Sequence, residues 1–432
     1  MIEWIKKQPP GRIIALGFIL AIFLGSLLLS LPCCVRPGVN LSYIDALYTS
    51  TSAVCVTGLI AVDAHDTFTP LGQFFLCLLI QIGGLGVTSV GAGVILAIGQ
   101  KINFKGRSLI RESLNLTTGQ GLVRFIKSVL LTAFTFEAIG ALFSFGVFIQ
   151  DYPWKKAAWL SLFHSVAAFN NSGFDILGNL QNLIPYRDNV PLNIITCVLI
   201  IFGGIGFWVI HEALAMRFNW RKLSMHSKVV ITTSAFLTIA GTVLFKLTED
   251  ISWLGALFQS VSARTAGFST YNIGNFTDAG LLVMIILMFI GASPGSTGGG
   301  IKTTTFFVLW QGIKSAATNT SEKAFRYAIP SEAFRKAAVI TLMAAFVVIG
   351  GTYLLLIMDP QVGFIAALFE ITSAFGTVGL STGITTKLSL GSKILSIIIM
   401  YVGRMGPLTI ATLWYFKNNE LTSYPEGNIS IG

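Results

Sequence analysis

The sequence predicts an all-α polytopic membrane protein made of four tandem repeats, each with a helix, a short re-entrant segment and a second helix. Three observations support this fold class: a low content of charge, eight long apolar stretches, and a shorter apolar segment inside each pair of stretches. Of the 432 residues, 53% are apolar and only 11% are charged, whereas a soluble domain carries about 25% charged residues. A soluble globule, a secreted disulfide scaffold, a nucleic-acid-binding protein and a disordered chain are therefore excluded.

The eight long stretches are the predicted membrane-spanning helices. Each has close to or more than the ~20 residues that cross a bilayer. They lie near residues 13–31, 73–98, 126–149, 192–215, 228–247, 280–313, 334–357 and 390–416. The first follows Lys6, Lys7 and Arg12, as a signal peptide would. Its 19-residue run exceeds the about 7–15 apolar residues of a signal core, so we interpret it as a membrane helix.

Four shorter segments separate the two helices of each pair, at residues 42–54, 157–169, 253–263 and 362–375. With 11 to 14 residues, they are too short to span a bilayer and are typical of re-entrant segments. This order divides the chain into repeat 1 (13–98), repeat 2 (126–217), repeat 3 (228–315) and repeat 4 (334–416), with termini at 1–12 and 417–432.

The charge distribution predicts the orientation in the membrane. With the N-terminus, the loops between repeats and the C-terminus on one side, that side holds 19 of the 29 Lys and Arg residues. Positive residues concentrate on cytoplasmic loops. We therefore expect a multi-pass protein of the cytoplasmic membrane, with both termini inside the cell and the short segments entering from outside.

The short segments share a pattern that ends in a glycine followed by Leu or Phe. An aromatic residue precedes Gly58, Gly173, Gly267 and Gly379 by 10, 10, 9 and 10 residues, respectively. The following helices also share Gly-rich strings, such as Gly83-Gly84-Leu85-Gly86. Four copies of one orientation favour a pseudo-fourfold arrangement around one central pore per chain.

A cation that enters hydrocarbon needs substitutes for its hydration shell, and backbone carbonyls supply them. Irregular backbone is tolerated at membrane depth only where it is buried or lines a wet cavity, and glycine turns such backbone without steric cost. We therefore predict one selectivity filter from the residues that lead to the four glycines. They are Cys55, Val56, Thr57, Gly58, Asn170, Asn171, Ser172, Gly173, Arg264, Thr265, Ala266, Gly267, Gly376, Thr377, Val378 and Gly379.

Over essentially its whole length the chain resembles the Trk, Ktr and HKT superfamily of potassium-translocating subunits. The motifs that carry the resemblance are Val56-Thr57-Gly58-Leu59, Thr265-Ala266-Gly267-Phe268-Ser269-Thr270, Thr377-Val378-Gly379-Leu380-Ser381 and the Gly-rich stretch 291–302. In its compact size it is most similar to the bacterial Ktr membrane subunit (KtrB or KtrD type).

The resemblance implies several functional properties. It implies K⁺ as the transported ion, bound at the backbone carbonyls of Thr57, Ser172, Ala266 and Val378. In that superfamily the filter glycine of every repeat is associated with K⁺ preference, and serine in the first repeat with Na⁺ permeation; this chain has Gly58 there. The resemblance also implies a homodimer in membrane lipid, a cytosolic RCK-type ring (KtrA or KtrC type) that binds ATP or ADP, and activation by Na⁺.

The second helix of repeat 3 contains a Gly-rich interruption with Pro294, which removes a backbone donor and breaks a helix. By resemblance the stretch 291–302, which includes Lys302, is an intramembrane gating loop; a flexible cytoplasmic loop is the alternative. Arg404 is added to the gate because it lies about midway along the last apolar stretch. The predicted gate residues are Gly291, Ala292, Ser293, Pro294, Gly295, Ser296, Thr297, Gly298, Gly299, Gly300, Lys302 and Arg404. Arg404 either forms an electrostatic barrier in the pore or pairs with carbonyls of this loop or with a carboxylate. Lys302 either shares this role or extends to the cytoplasmic interface.

Three other charged residues lie in apolar segments. Arg264 is close to the third glycine, and we expect its side chain to point away from a cation, toward helix termini or an acid. Glu370 is either a partner for a buried basic group or a cap. Glu137 is either a relay carboxylate or a helix-packing contact.

The sequence shows no catalytic constellation. His211-Glu212 does not continue to a zinc-protease motif because residue 215 is Ala, and Ile301 interrupts the Gly-Lys pair of a P-loop. We therefore expect no enzyme. A Na⁺-coupled secondary transporter with a midplane site remains the alternative function, although its repeats of opposite orientation are not evident.

Overall fold

The computed structural model describes residues 8–97 and 122–412. The predicted terminus 417–432, most of 1–12, residue 98 of repeat 1 and residues 413–416 of repeat 4 lie outside the described residues. Within the described residues the fold is mostly helical, as predicted. One small exception is a two-stranded antiparallel hairpin in which Lys323 pairs with Ala328 and Ala324 with Tyr327.

The first half of the chain contains nine described α-helices. They are α1 (Pro10–Leu29), α2 (Tyr43–Cys55), α3 (Ala64–Thr67), α4 (Pro70–Leu85), α5 (Val87–Ala97), α6 (Leu122–Phe148), α7 (Trp154–Phe169), α8 (Val190–Ile205) and α9 (Phe207–Ala215). Helices α1 and α6 are long and apolar enough to cross a membrane. They coincide with the predicted first helices of repeats 1 and 2, and α2 and α7 with the predicted short segments.

The second half contains eight described α-helices and the hairpin, β1 (Lys323–Ala324) and β2 (Tyr327–Ala328). The helices are α10 (Met225–Thr248), α11 (Trp253–Ala263), α12 (Asp278–Phe289), α13 (Thr303–Thr318), α14 (Ser331–Met358), α15 (Phe364–Gly376), α16 (Leu390–Met405) and α17 (Pro407–Thr412). Here α10 and α14 are long enough to cross a membrane, and α11 and α15 coincide with the predicted short segments.

The prediction for the second helices is wrong in one respect. A break is predicted only in repeat 3, whereas the second helix of every repeat is broken. Gly86, Gly206 and Gly406 interrupt the other three, with φ of +82°, +99° and +87°. Such φ values are open to glycine but strained for other residues. At Gly206 the chain bends by 97° between α8 and α9. The long apolar stretches therefore do not correspond to eight straight spanning helices.

The four short helices form the centre of the molecule. The aromatic residues that marked the sequence pattern, Tyr48, Phe163, Phe258 and Phe369, are among its most completely buried large side chains. Repeats 4 and 1 are joined at the outer ends of α16 and α2. There Lys393 Nζ lies 2.7 Å from Asp45 Oδ1, and the Tyr48 hydroxyl lies 3.1 Å from Ser396 Oγ.

Candidate functional site

The four predicted filter glycines lie together where the short helices end. Gly58, Gly173, Gly267 and Gly379 have φ of +89°, +67°, +76° and +95°, the left-handed region that glycine occupies at little cost. Each sits against the turn of another repeat. The structure therefore brings four segments that are far apart in sequence into contact at one place.

These contacts form a closed ring. Each glycine faces the carbonyl oxygen of the residue that precedes another of the four glycines. A Cβ built on Gly58 would lie 2.2 Å from Ser172 O, and one on Gly173 would lie 2.7 Å from Ala266 O. A Cβ on Gly267 would lie 2.3 Å from Val378 O, and one on Gly379 would lie 2.2 Å from Thr57 O, which closes the ring. The four carbonyls are those assigned to K⁺ from the resemblance, and there is no space for a side chain at any of the four glycines.

Three of the four turns have the same backbone geometry. Val56, Asn171 and Thr377 are all left-handed, with φ of +58°, +58° and +49°. The amide one residue later then donates to a carbonyl five residues back, as in Thr57 N to Ser52 O at 2.7 Å. This is the end of a helix with a left-handed cap.

The turn of repeat 3 is one residue shorter. Thr265 has no left-handed φ, and Ala266 N donates to Ser262 O, only four residues back, at 2.8 Å. The aromatic-to-glycine spacing of 9 in place of 10 is the sequence signal of this difference. The missing residue is the left-handed one.

Hydroxyl and amide side chains hold the turns in place. Gly58 N donates to Ser52 Oγ at 3.0 Å, and Gly379 N donates to Ser373 Oγ at 3.1 Å. Asn170 Nδ2 donates to Gln81 Oε1 at 2.9 Å and to Glu137 Oε1 at 3.0 Å. Glu137 therefore contacts the residue that begins the second turn, which fits the packing interpretation.

The Arg264 guanidinium bonds to α10, and its partners differ from the predicted helix termini or acid. It donates to Ser234 O at 3.3 Å, to Ser234 Oγ at 3.1 Å and to Thr238 Oγ1 at 3.4 Å. These are groups of α10 and not carboxylates. Hydroxyl and carbonyl oxygens of α10 therefore take the place of the acidic side chain that was predicted to pair with Arg264.

Glu370 is fully buried behind the fourth turn. Its carboxylate accepts from Ser381 Oγ at 2.7 Å and from Thr385 Oγ1 at 2.5 Å. Both donors belong to the segment that follows Gly379. Of the two interpretations, capping of a local segment fits these contacts, because in the described residues no basic side chain bonds to this carboxylate.

The Gly-rich segment 291–302 lies directly beside the turns and is largely buried. Gly299 N donates to Thr377 Oγ1 at 2.8 Å, and a Cβ on Gly298 would lie 2.8 Å from the Thr265 side chain. On the other side, Ser293 N donates to Gly204 O at 3.1 Å. The segment therefore contacts the turns of repeats 3 and 4 and the broken helix of repeat 2.

Lys302 and Arg404 both bond to carbonyls of this segment. Lys302 Nζ donates to Gly298 O at 2.7 Å. Arg404 donates to Thr297 O and to Gly83 O, and its guanidinium lies 5.9 Å from the Phe18 ring, within the range of a cation–π contact. Arg404 thus links the segment to repeat 1, which fits the pairing interpretation made from the sequence.

Two cavities lie near the four turns and segment 291–302. One of about 200 Å³ is lined by Gly298, Gly300, Lys302 and Arg404. The other, of about 280 Å³, is lined by Gly267 and Gly379 together with Asn182, Ser269 and Ser381. The first cavity borders segment 291–302 and carries two basic side chains, and the second borders the glycine ring itself at Gly267 and Gly379.

Sequence reasoning missed several residues that support the ring. Gln81 and Asn182 are among them; Asn182 Nδ2 lies 3.3 Å from Gly173 O, and Asn182 Oδ1 accepts from Ser269 N at 3.1 Å. Ser52 and Ser373 could have been found, because each lies six residues before its glycine. Gln81 and Asn182 carry no such periodic signal.

Comparison with known proteins gives one consistent result. Residues 22–421 match the TrkH family, described as cation transport protein. The Ktr system potassium uptake proteins B and D of Bacillus subtilis (strain 168) are 35% and 37% identical to this chain, over 100% and 99% of it and 98% of each relative. The potassium/sodium uptake protein NtpJ of Enterococcus hirae is 36% identical, over 99% of this chain and 98% of its own.

A solved structure has the same fold. The crystal structure of the potassium transporter TrkH from Vibrio parahaemolyticus matches with a TM-score of 0.73 at 19% identity, over 94% of this chain and 85% of that one. The family match covers most of the chain, and the relatives at 35–37% identity cover nearly all of it. The chain belongs to the TrkH/Ktr family of cation transport proteins.

Proposed function

We propose that the chain carries K⁺ into the cell across the cytoplasmic membrane, through the ring formed by the four glycine turns. The observation that carries this proposal is the closed order of contacts, in which the carbonyls of Thr57, Ser172, Ala266 and Val378 each face a glycine of another turn. Four carbonyl-bearing turns that converge can replace the water of a cation. The pore is then central to one chain, with four repeats around it.

K⁺ is the proposed ion for two reasons. Ktr proteins B and D are named potassium uptake proteins and NtpJ a potassium/sodium uptake protein. The first turn carries Gly58, without the side chain that a serine would bring into the ring. The proposed ligands of K⁺ are these four backbone carbonyl oxygens, and the other residues of the four turns form the rest of the selectivity filter. Na⁺ is proposed as an activating ion.

The segment 291–302 is proposed as the gate. Its contacts with Thr265 and Thr377 put it next to the third and fourth turns, on the side of the cavity lined by Lys302 and Arg404. A gate in this position blocks the ion path when these hydrogen bonds form and opens it when they break. Arg404 would hold the closed position through its bonds to Thr297 O and Gly83 O.

Regulation is proposed to come from a second protein. Residues 314–336 contain the exposed Lys314 and Lys323, with Arg326, Arg335 and Lys336, around the β1–β2 hairpin. This basic surface, on the proposed cytoplasmic side with both termini, suits the docking of an RCK-type ring that binds ATP or ADP. The membrane subunit is proposed to be a homodimer. Deleting the 323–328 hairpin should weaken co-purification of the ring.

Ion flux into proteoliposomes that contain the chain alone tests the function. We expect K⁺ and Rb⁺ flux far above Na⁺ and Li⁺ flux, and a loss of this selectivity in Gly58→Ser. Gly38→Ser is the matched control, because Gly38 has a similar φ of +84° but no atom within 4 Å of a Cβ. Equal Na⁺ and K⁺ flux in the wild type would contradict K⁺ preference. K⁺ uptake that requires a Na⁺ gradient would favour the coupled transporter.

A further inference from the structure

A groove of about 340 Å³ opens between α10 and α13, at a distance from the glycine ring. It is lined by Thr232, Thr233, Phe236, Phe306, Phe307, Trp310 and Gln311. Phe236 and Trp310 are 63% and 59% exposed. The opposite face of α13 is covered, because Gly312 packs against the ring of Phe334 in α14. The groove is therefore the open side of the helix that follows segment 291–302.

Both walls of the groove carry the same series of side chains. On α10 the series is Lys228, Thr232 and Phe236, and on α13 it is Lys314, Trp310 and Phe306. Residues four apart lie on one helix face, and each step advances the series by about 6 Å at 1.5 Å per residue. Each wall thus changes from charged to amphipathic to apolar over about 12 Å.

The two lysines lie at the same end of the groove. Val229, next to Lys228, packs with Ala324 and Ile329 of the hairpin segment that follows α13. Among the described residues, neither Lys228 nor Lys314 forms an ion pair with a carboxylate. Lys228 Nζ donates to Arg221 O at 3.4 Å, and Glu212 of α9, which lies beside the start of α10, accepts from Ser224 and Ser227. The end of the groove therefore carries two lysines that are not paired with a carboxylate.

This series matches the cross-section of one bilayer leaflet. Lysines lie at the level of lipid phosphates, tryptophan is enriched at the interface, and phenylalanine lies among acyl chains. Anionic lipids of the cytoplasmic leaflet attract such lysines. A second copy of the chain fits less well, because a two-fold interface places the same patch on both subunits and would bring these lysines together.

We propose that this groove binds an anionic phospholipid, with an acyl chain against Phe236, Phe306 and Trp310 and the phosphate between Lys228 and Lys314. The site does not depend on the proposed ion path. With this lipid bound, α13 packs against lipid on one side. The first residue of α13, Thr303, bonds to segment 291–302, because Thr303 Oγ1 lies 2.9 Å from Ser293 Oγ.

Quenching of tryptophan fluorescence by brominated lipids tests the site. The full chain is reconstituted with brominated phosphatidylglycerol or brominated phosphatidylcholine. Because the chain has 8 tryptophans, the fluorescence of Trp310 is obtained as the difference between the wild type and Trp310→Phe. We expect phosphatidylglycerol to compete for the Trp310 site several-fold better than phosphatidylcholine. Lys228→Gln and Lys314→Gln should each lower this preference about five-fold, equivalent to about 1 kcal/mol per basic residue.

Lys127→Gln is the matched control. Lys127 is an exposed lysine near the start of α6, four residues from the exposed Leu131, and it lies on neither wall of this groove. It should leave the lipid preference at Trp310 unchanged. Equal quenching by the two lipids in the wild type would overturn the proposal, as would a preference that survives both lysine substitutions. Absence of quenching by either lipid would mean that protein covers the groove, and would also overturn it.

Discussion

The hydrogen bond between Gly299 N and Thr377 Oγ1, 2.8 Å long, is the direct link between segment 291–302 and the fourth turn. Thr377→Val keeps the shape of the side chain and removes the acceptor. Both residues are buried, so the Gly299 amide would lose its partner without gaining water. A buried donor left unpaired costs about 1–3 kcal/mol, which corresponds to a shift of about 5–150-fold between two positions of the segment.

If segment 291–302 closes the ion path, Thr377→Val should raise the initial rate of Rb⁺ uptake into proteoliposomes, by at least several-fold. Thr377→Ser keeps the hydroxyl and should restore the wild-type rate. The matched control is Thr372→Val, because Thr372 Oγ1 donates only to Leu368 O of its own helix, at 2.7 Å. A rate equal to that of the wild type in correctly folded Thr377→Val, or a rate below it, would refute the gating role of this bond.

Two further predictions concern the contacts around the ring. Arg404→Ala removes the donor to both Thr297 O and Gly83 O and should raise K⁺ flux in the same assay; unchanged flux with unchanged salt dependence would contradict both interpretations of this residue. Gly403→Ala would place a Cβ 1.9 Å from the Phe375 carbonyl oxygen, and overpacking of about 1–3 kcal/mol should lower the unfolding temperature in detergent. Gly350→Ala, with no atom within 4 Å of the added Cβ, is the control and should not lower it.

Much of the fold is readable from local patterns in the sequence. The four long helices follow from hydropathy alone, since α1, α6, α10 and α14 are continuous apolar runs. The short helices follow from their length and from the buried aromatic residue that each carries. Even the shorter turn of repeat 3 is visible in the sequence, as a spacing of 9 residues between the aromatic residue and the glycine. It is visible because the turn lacks a whole residue, which changes the spacing whatever the side chains are.

The breaks in the second helices of repeats 1, 2 and 4 are not readable in this way. Gly86, Gly206 and Gly406 lie in apolar surroundings where a membrane helix tolerates glycine. Nearby glycines pack tightly on the short helices: a Cβ on Gly203 would lie 1.8 Å from Phe169 O, and one on Gly83 would lie 2.2 Å from Val54 O. The need for a break arises from this tertiary contact, which no local pattern contains.

The sequence offers the bond of Arg404 to segment 291–302 as one alternative, but the other partners of the buried charges are not predicted, for a related reason. Arg264 was expected to find helix termini or an acid and instead bonds to Ser234 and Thr238, about 30 residues earlier in the chain. Arg404 bonds to Gly83 O, 321 residues away. Backbone carbonyls are present at every position, so sequence alone gives no reason to select one of them.

Because one polypeptide supplies all four turns, a single substitution at the ring changes only one of the four turns. A homotetramer would receive each substitution four times and could not keep three turns of one kind and a fourth of another. Here the turn of repeat 3 has lost its left-handed residue, while Val56, Asn171 and Thr377 keep theirs. A ring of this kind can therefore specialise one quadrant, such as the one next to segment 291–302, without altering the other three.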